Sequence, residues 1–359
     1  MGLIRSLKAN GHEIHTIAPH DSHTDHLIEE GCIHHNLRMD SRGANPVKDL
    51  ALIFELYFIY KRVRPDVILH YTIKPNVYGT LAAALLRIPV VNNVCGLGTV
   101  FLKNGVVSAV AKLLYRVSFR FAQKVFFQNP DDLNLFTKER LVSANVVDLI
   151  PGSGIDLKRF TPAPFTRNSE FTFLLISRLI TDKGVLEYIE AIRKLRAEGI
   201  QARFQVLGPV DEEHKRGIKR TTVESWIQAG DIEYLGTTED VRPFIRQADC
   251  VVLPSYREGT PRVLLEASSL AKPVIATDVP GCSQVVEHQV SGLLCQLKDA
   301  TDLAEKMRTM AAFTDQQLVQ LGKNGRTKME TLYDESHVIR KYIKALHDVK
   351  PEPSVHAGY

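Results

Sequence analysis

Cys250-Val251-Val252-Leu253-Pro254-Ser255-Tyr256-Arg257-Glu258-Gly259-Thr260-Pro261 passes from a short apolar run into a polar loop, and Arg262–Ala267 continues with helical spacing. The apolar run predicts a buried strand, and Pro261 suits the first turn of a helix, where its missing N–H costs nothing. Strand, loop and helix in this order are typical of a parallel α/β sheet. The N–H groups of Gly259 and Thr260 at the start of this helix favour an anionic ligand.

Two carboxylates lie on this segment, Glu258 in the loop and Glu266 two turns into the helix. Carboxylates accept hydrogen bonds from paired sugar or ribose hydroxyls. A capped helix with two solvated glutamates would explain the Glu-x7-Glu spacing by itself. The combination with a buried strand, a glycine and Thr260-Pro261 favours a binding site.

Apolar, β-rich runs alternate with helical patterns along the whole chain. In the first series the predicted strands are Glu13–Ala18, Asp66–His70, Val90–Val94, Lys124–Gln128 and Val146–Ile150, and the helices are Leu50–Arg62 and Val77–Leu86. In the second series the strands are Phe171–Ile176, Ala202–Leu207, Ile232–Leu235, Cys250–Leu253, Val274–Ala276 and Gly292–Cys295, and the helices are Gly184–Glu198, Val241–Gln247, Pro261–Leu270 and Asp302–Met310. This alternation predicts parallel sheets covered by helices on both faces.

A polar, Pro-rich linker at Thr161–Ser169 separates the two series. We therefore predict two doubly wound domains facing a cleft, over residues 1–160 and 161–335. Residues 336–359 are predicted to form a helix that crosses back to the first domain, and then a tail. A doubly wound domain normally opens with a strand, whereas the helical pattern Gly2–Lys8 comes first here, so the opening strand of the first domain is missing from the pattern.

Composition excludes several classes of protein. The chain has 359 residues, of which 44% are hydrophobic and 24% charged, and its net charge of +4 does not indicate a nucleic-acid partner. Five scattered cysteines without Cys-x-x-Cys spacing favour a reducing compartment, and we expect a cytoplasmic protein. No apolar run reaches the roughly 18 residues that suggest a membrane-spanning helix.

A second motif follows the strand Phe171–Ile176. Ser177-Arg178 stands at its carboxyl end, and Lys183 lies just before the next helix. Two cations at this position suit a diphosphate, although either alone would be an ordinary surface residue.

These two motifs resemble those of the retaining group 1 glycosyltransferases, family 4, which have the GT-B fold. The resemblance implies that Glu258 lies against a donor sugar and that Glu266 holds its ribose. It further implies that Arg178 and Lys183 stabilise a departing diphosphate. The remaining donor-binding candidates line the phosphate and sugar region, and they are Ser177, Gly259, Thr260 and Pro261.

In the first domain, the segments that end two predicted strands, His70–Asn76 and Asn93–Thr99, resemble a subgroup of this family. That subgroup adds N-acetylhexosamines to polyprenyl-diphosphate-linked saccharides that contain N,N'-diacetylbacillosamine. The acceptor-side candidates are His70, Lys74, Asn93, Gly96 and Gly98. Many members of the family carry a site histidine near Cys95 or Gly96, and its absence here leaves the catalytic base unassigned.

The resemblance implies transfer of a sugar, which we expect to be an N-acetylhexosamine, from a UDP-sugar donor to a lipid-linked or other cell-surface glycan acceptor. A UDP-sugar epimerase of the same fold and a truncated, non-catalytic protein that binds UDP-sugar remain alternatives. The chain has no Asp-x-Asp, and its histidines His20, His23, His26, His34 and His35 lack metal-ligand spacing. We therefore expect neither a metal nor another cofactor.

The segment Val106–Val125 mixes Lys112, Arg116, Arg120 and Lys124 with apolar residues. A basic, apolar helix suits the surface of an anionic membrane. A helix that covers the sheet and has a solvated basic edge would show the same pattern. With a lipid-linked acceptor, we expect peripheral contact at the inner face of the cytoplasmic membrane.

Overall fold

The computed structural model describes residues 1–39, 45–97 and 105–349. The chain forms two compact units, Met1–Ile150 with the segment from Ser336 onward, and Pro151–Glu335. The second unit therefore begins ten residues before the boundary expected from the linker. Ile155 and Phe160 explain this difference, because both are buried in the core of the second unit.

Strands and helices alternate through both units. The strands are β1 (His15–Ala18), β2 (Ile33–Asn36), β3 (Ile68–Tyr71), β4 (Val90–Val94), β5 (Lys124–Phe127), β6 (Val147–Leu149), β7 (Thr172–Ile176), β8 (Arg203–Leu207), β9 (Glu233–Tyr234), β10 (Cys250–Leu253), β11 (Val274–Thr277) and β12 (Gly292–Cys295). The helices are α1 (Gly2–Ala9), α2 (Thr24–Glu29), α3 (Pro46–Val63), α4 (Thr80–Leu85), α5 (Val106–Ser118), α6 (Pro130–Lys138), α7 (Val185–Ala197), α8 (Arg220–Gln228), α9 (Arg242–Gln247), α10 (Arg262–Ser269), α11 (Cys282–Val285), α12 (Ala300–Ala312), α13 (Asp315–Lys328) and α14 (Glu335–Val349).

The strands of the first unit form two parallel sheets, with the orders β1-β2 and β3-β4-β5-β6. In a doubly wound sheet of order 3-2-1-4-5-6, the strand that precedes α1 would lie between β1 and β3. Among the described residues no strand takes that position. β1 is half-buried along its length, whereas every residue of β4 is buried.

Helices cover the two faces of the four-stranded sheet in the first unit. α3 and α5 contribute Leu52, Leu56 and Tyr115 to the core on one face. On the other face, Tyr342 of α14 packs against Phe126, with ring centroids 4.9 Å apart. Both layers are needed because β4 and β5 bury side chains on both faces of the sheet.

The second unit contains one parallel sheet of order β12-β11-β10-β7-β8-β9. From β7 the chain winds outward through β8 to β9, and it then returns to the other side of β7 to form β10. α7 packs on one face of this sheet and α10 on the other. The winding therefore reverses between β7 and β10, and at such a point the loops at the carboxyl ends diverge and leave room for a ligand.

The structure differs from the sequence prediction at several elements. β2 was not predicted, because Ile-His-His-Asn has a single apolar residue, and His34 and His35 therefore lie in a strand. The helices α8 and α13 were also missed, since they are largely polar and bury few side chains. Pro261 is the N-cap of α10 rather than a first-turn residue, because its ψ of 113° is extended.

The glycines of α13 provide a test of its packing. A Cβ at Gly322 would lie 2.0 Å from the Ala271 carbonyl oxygen, whereas one at Gly325 would lie 3.4 Å from Ser268. Alanine normally favours a helix over glycine by about 0.5–1 kcal/mol. We expect Gly325→Ala to leave the free energy of unfolding unchanged or to raise it, and Gly322→Ala to lower it by about 1–3 kcal/mol. Urea unfolding would measure both variants, and equal values would contradict the close packing of α13 on Ala271.

Candidate active site

Three loops at the carboxyl ends of the adjacent strands β7, β10 and β11 carry the residues that could bind a ligand in the second unit. The loop after β7 contains Ser177–Lys183, the loop after β10 contains Pro254–Pro261, and the loop after β11 contains Asp278–Gly281. The first two loops lie on either side of the point where the winding reverses. All three share one edge because the strands are parallel.

Lys183 and Glu258 form an ion pair across the first two loops. Lys183 Nζ donates to Glu258 Oε1 at 2.5 Å, and the side chains are 23% and 14% exposed. The next residue, Gly184, has a φ of +70°, and a Cβ there would lie 2.0 Å from the Pro254 carbonyl oxygen. The loops therefore touch through backbone, and this contact holds the cation and the carboxylate together.

The loop after β11 supports Glu258 from the other side, and its role was not predicted from the sequence. The Glu258 N–H donates to the Pro280 carbonyl at 3.3 Å. A Cβ at Gly281, whose φ is +89°, would lie 2.5 Å from the Glu258 carbonyl oxygen. The dipeptide Pro280-Gly281 soon after a buried strand was the available signal.

The segment from Gly259 to Pro261 leads into α10, and Thr260 packs closely on Gly152. A Cβ at Gly152 would lie 2.7 Å from Thr260 Cβ. One helical turn further, Glu266 accepts a hydrogen bond from Arg262 Nε at 2.8 Å. Burial raises the pKa of Glu266 above its usual range. The two glutamates thus have different partners: Lys183 neutralises Glu258, while Arg262 neutralises Glu266.

Arg178 and Ser177 lie at the outer end of the β7 loop. The Arg178 side chain is 56% exposed, and its guanidinium is 3.9 Å from Asp211, which is a loose ion pair. Ser177 Oγ donates to the Arg178 carbonyl at 3.1 Å. Arg178 is therefore available to a ligand, but its guanidinium has no described contact with the Lys183–Glu258 pair.

Tyr256 ties the β10 loop to the helix after β7, and the sequence analysis did not single it out. Its hydroxyl donates to Glu187 Oε1 at 2.7 Å, and its N–H donates to the Asp182 carbonyl at 2.9 Å. Lys298 Nζ lies 4.7 Å from the centre of its ring. The two hydrogen bonds of Tyr256 connect the loops that carry Lys183 and Glu258.

Among the acceptor-side candidates in the first unit, His70 is buried, with 3% of its surface exposed. Its Nε2 is 2.9 Å from Tyr60 Oη, and its Nδ1 is 2.9 Å from Asn92 Oδ1. This arrangement suits a neutral imidazole that donates from Nδ1 and accepts at Nε2. Burial lowers the pKa of His70 to about 4. His70 therefore belongs to an internal hydrogen-bond network and does not present its ring to solvent.

The remaining acceptor-side candidates have different surroundings. Lys74 Nζ donates to Asp49 Oδ1 at 2.8 Å. Asn93 is buried, and its Nδ2 donates to the Tyr342 hydroxyl of α14 at 2.7 Å. Gly96 has a φ of +135°, and Gly98 lies outside the described residues. Asn93 thus connects the carboxyl end of β4 to α14.

The histidines near the amino end lie around β1 and β2, where the rings of His15 and His35 stack 5.1 Å apart. Over the residues that the structure describes, no group of three or more His, Cys, Asp or Glu side chains is placed to hold a metal ion. In the same part of the chain, no helix is long and apolar enough to cross a membrane.

Comparison with protein families places this geometry in a class. The model described as "Glycosyl transferases group 1" matches residues 170–312, and the model described as "Glycosyl transferase 4-like" matches residues 1–129. Residues 170–312 thus form a domain of the group 1 glycosyltransferases, as the Glu258–Glu266 motif predicted, and the chain is a glycosyltransferase.

Among individual relatives, the chain is 29% identical to the N,N'-diacetylbacillosaminyl-diphospho-undecaprenol alpha-1,3-N-acetylgalactosaminyltransferase of Campylobacter jejuni, over 96% of this chain and 93% of the relative. It is 26% identical to the UDP-Gal:alpha-D-GlcNAc-diphosphoundecaprenol alpha-1,3-galactosyltransferase of Escherichia coli, over 80% of this chain and 76% of the relative.

Solved structures confirm the GT-B fold. A glycosyltransferase from Rickettsia africae superposes with a TM-score of 0.79 at 18% identity, covering 98% of this chain and 94% of that chain. Anabaena HepE in complex with UDP and glucose superposes with a TM-score of 0.77 at 19% identity, covering 93% of this chain and 92% of that chain.

The buried His70 makes the first unit sensitive to acid. Its pKa is lowered from 6.5 to about 4, so the unfolded chain binds a proton that the folded unit excludes. Exclusion of this proton does not affect the free energy of unfolding above pH 6.5. Between pH 6.5 and about 4 the free energy of unfolding falls as the pH falls, because only the unfolded chain binds the proton. We expect His70→Gln to flatten the decline in melting temperature over this window, while His26→Gln, which changes an exposed histidine on α2, leaves the decline unaltered. If the melting temperature of His70→Gln declined with pH as steeply as that of the wild type, His70 would not be the group responsible.

The Lys183–Glu258 pair sets an expectation for binding of UDP alone. Glu258 neutralises Lys183, so an anionic ligand must compete with it. Glu258→Gln removes the competing charge, and we expect UDP to bind several-fold more tightly by calorimetry. Glu266→Gln should act in the opposite direction, because Glu266 is predicted to accept from the ribose hydroxyls. Weaker binding of UDP to Glu258→Gln would show that the pair does not oppose the diphosphate.

Proposed function

We propose that the protein transfers a sugar, an N-acetylhexosamine, from a UDP-sugar to a polyprenyl-diphosphate-linked saccharide with retention of anomeric configuration. The Lys183–Glu258 ion pair at the reversal of winding carries the proposal. It places a cation and a carboxylate at one ligand-binding edge, where a diphosphate and a sugar hydroxyl need such partners. The names of the two relatives support the class of acceptor.

Each donor-side residue has a role in this proposal. Lys183 and Arg178 offset the charge that develops on the departing UDP. Gly259, Thr260, Pro261 and Ser177 line the phosphate and sugar region. Glu258 leaves Lys183 to accept from sugar hydroxyls, and Glu266 accepts from the ribose. The donor binds without a metal or another cofactor, because these side chains and the start of α10 supply the positive charge.

The acceptor binds to the first unit in this proposal. Lys74 lies after β3, Asn93 lies near the end of β4 and Gly96 follows β4, at the carboxyl edge of that sheet. Gly98, outside the described residues, is assigned to the acceptor side from the sequence. His70 acts there through Asn92 and Tyr60 rather than by direct contact, because it is buried. A lipid-linked acceptor also requires the protein to reach a membrane. We assign peripheral contact at the inner face of the cytoplasmic membrane to Val106–Val125.

A panel of UDP-sugars with a short-chain polyprenyl-diphosphate saccharide tests the reaction. We expect UDP release to depend on both substrates and to be fastest with an N-acetylhexosamine donor. Interconversion of UDP-sugars without acceptor would instead support an epimerase. Binding of UDP-sugar without either reaction would support a non-catalytic protein.

Replacement of the site cation tests the mechanism. We expect Lys183→Met to lower kcat by roughly 100- to 1000-fold, the usual cost of removing one group that stabilises a developing negative charge. Lys298→Met is the matched control, because Lys298 is an exposed lysine near the same loops that contacts only the Tyr256 ring among the described interactions. Steady-state kinetics would measure both variants, and similar kcat values would remove Lys183 from the reaction.

A further inference from the structure

The outer surface of α5 is apolar. Val106, Val110, Leu113 and Val117 follow helical spacing and are 81%, 50%, 55% and 39% exposed. Tyr115 of the same helix is buried in the core on the opposite side. A helix that covers a sheet normally turns polar residues outward, so this stripe is unusual for a surface in contact only with water.

α3 repeats the pattern. Val47, Leu50, Phe54 and Phe58 are 78%, 55%, 56% and 59% exposed, on the side opposite the buried Leu56. Both helices contribute to the same core, so their outward stripes lie on one side of the first unit.

α4 contacts α3 and also the short turn Phe119–Phe121 that follows α5. It adds Leu85, which is 70% exposed. We call this surface, formed by the outward residues of α3, α4 and α5, the apolar face.

A basic groove of about 590 Å³ lies beside the carboxyl end of α5. Arg116, Arg120 and Arg140 line it, together with Phe119 and Leu141. Ala122 and Val146 also line it, just before β5 and β6, so the groove lies at the amino ends of these strands. The acceptor-side candidates that the structure describes lie at the opposite, carboxyl edge of the same sheet, so the groove is separate from them.

The charges of the groove are not balanced. Its one carboxylate, Glu139, already accepts from Lys112 Nζ at 2.8 Å. Arg116 donates to the backbone carbonyls of Glu139 and Arg140, which fixes its guanidinium at the wall. Among the described residues, neither Arg120 nor Arg140 has an ion pair or a side-chain hydrogen bond. Guanidinium groups suit phosphate oxygens because their donors form a planar fork.

We propose that this groove binds the phosphodiester headgroup of an anionic phospholipid while the apolar face enters the interfacial layer of the bilayer. The pairing of the two features identifies the ligand. A soluble phosphate would need the arginines alone, whereas a phospholipid offers a phosphate and adjacent apolar surface together. The inference deepens the membrane contact of the proposed function and does not depend on which sugar is transferred.

Sedimentation with vesicles tests the groove. We expect the protein to bind vesicles of phosphatidylcholine with about one-third phosphatidylglycerol more tightly than phosphatidylcholine alone. Arg120→Gln/Arg140→Gln should weaken binding to the anionic vesicles about 10- to 30-fold, from about one kcal/mol for each basic residue near the surface. Arg196→Ala/Arg220→Ala, which removes two exposed arginines from the second unit, should leave binding unchanged. If both double variants lost the same amount of vesicle binding, the groove would not be the binding site.

A second arm tests the apolar face and the source of the phosphate. Phe54→Ser/Phe58→Ser should weaken vesicle binding even at high salt, because apolar insertion is not screened. Glycerol 1-phosphate in solution should not displace the protein from anionic vesicles at millimolar concentration. Displacement by glycerol 1-phosphate, or unchanged vesicle binding of the phenylalanine variant, would contradict a lipid ligand.

Transfer to a short-chain, water-soluble acceptor separates this inference from the reaction itself. Both groove and phenylalanine variants should keep wild-type kcat with that acceptor while losing activity on vesicle-bound acceptor. Wild-type activity of all variants on vesicles would overturn the lipid site, and it would leave the transfer reaction intact.

Discussion

The reversal of winding between β7 and β10 is the constraint on which the donor side depends. These strands are neighbours in the sheet although the chain passes through β8 and β9 between them. α7 packs on one face of the sheet and α10 on the other. The loops that lead into these helices therefore diverge and leave space at the carboxyl ends of β7 and β10. Lys183 and Glu258 stand on those two loops, and the contact of Gly184 with Pro254 keeps them in reach. Packing of the two loop backbones therefore holds Lys183 near Glu258, and the electrostatic attraction of the ion pair contributes less.

The elements most readily predicted were strands that are largely buried. β4, β10 and β12 have the predicted bounds. β10 and β12 are short apolar runs bordered by polar or turn residues, and in β4 three valines flank Asn92 and Asn93. β2 was missed because a short sheet edge with two histidines has no apolar alternation. The donor-side residues were named from one motif, but their pairing was not. The pairing of each cation with a carboxylate depends on the geometry of the loops. Lys183 and Glu258 are 75 residues apart in the sequence, so the spacing of residues within either motif does not reveal their contact.

In the first unit, polar residues on β3 and β4 have structural contacts that their residue type did not predict. His70 lies near the carboxyl end of β3, where a catalytic histidine could stand, yet it is buried and hydrogen-bonded to Tyr60 and Asn92. Asn93, one residue from Asn92 on β4, instead reaches α14 through Tyr342. Alternation along a strand sends the two asparagines to opposite faces, so each serves a different layer. Polar residues inside this sheet thus connect its layers, and a buried network of this kind rigidifies the edge from which the acceptor segments emerge.

α14 completes the first unit although it follows the second unit in the chain. Val338, Tyr342 and Ala345 of α14 pack with Val91 and Phe126 on one face of the sheet, and Leu3 of α1 lies against the same cluster. During synthesis the second unit can therefore reach its native core before the first is covered. Until α14 leaves the ribosome, the nascent chain carries an uncovered apolar face on the sheet of the first unit. A premature stop before residue 336 would damage the part of the protein made first, and such a product would be a substrate for chaperones and proteases.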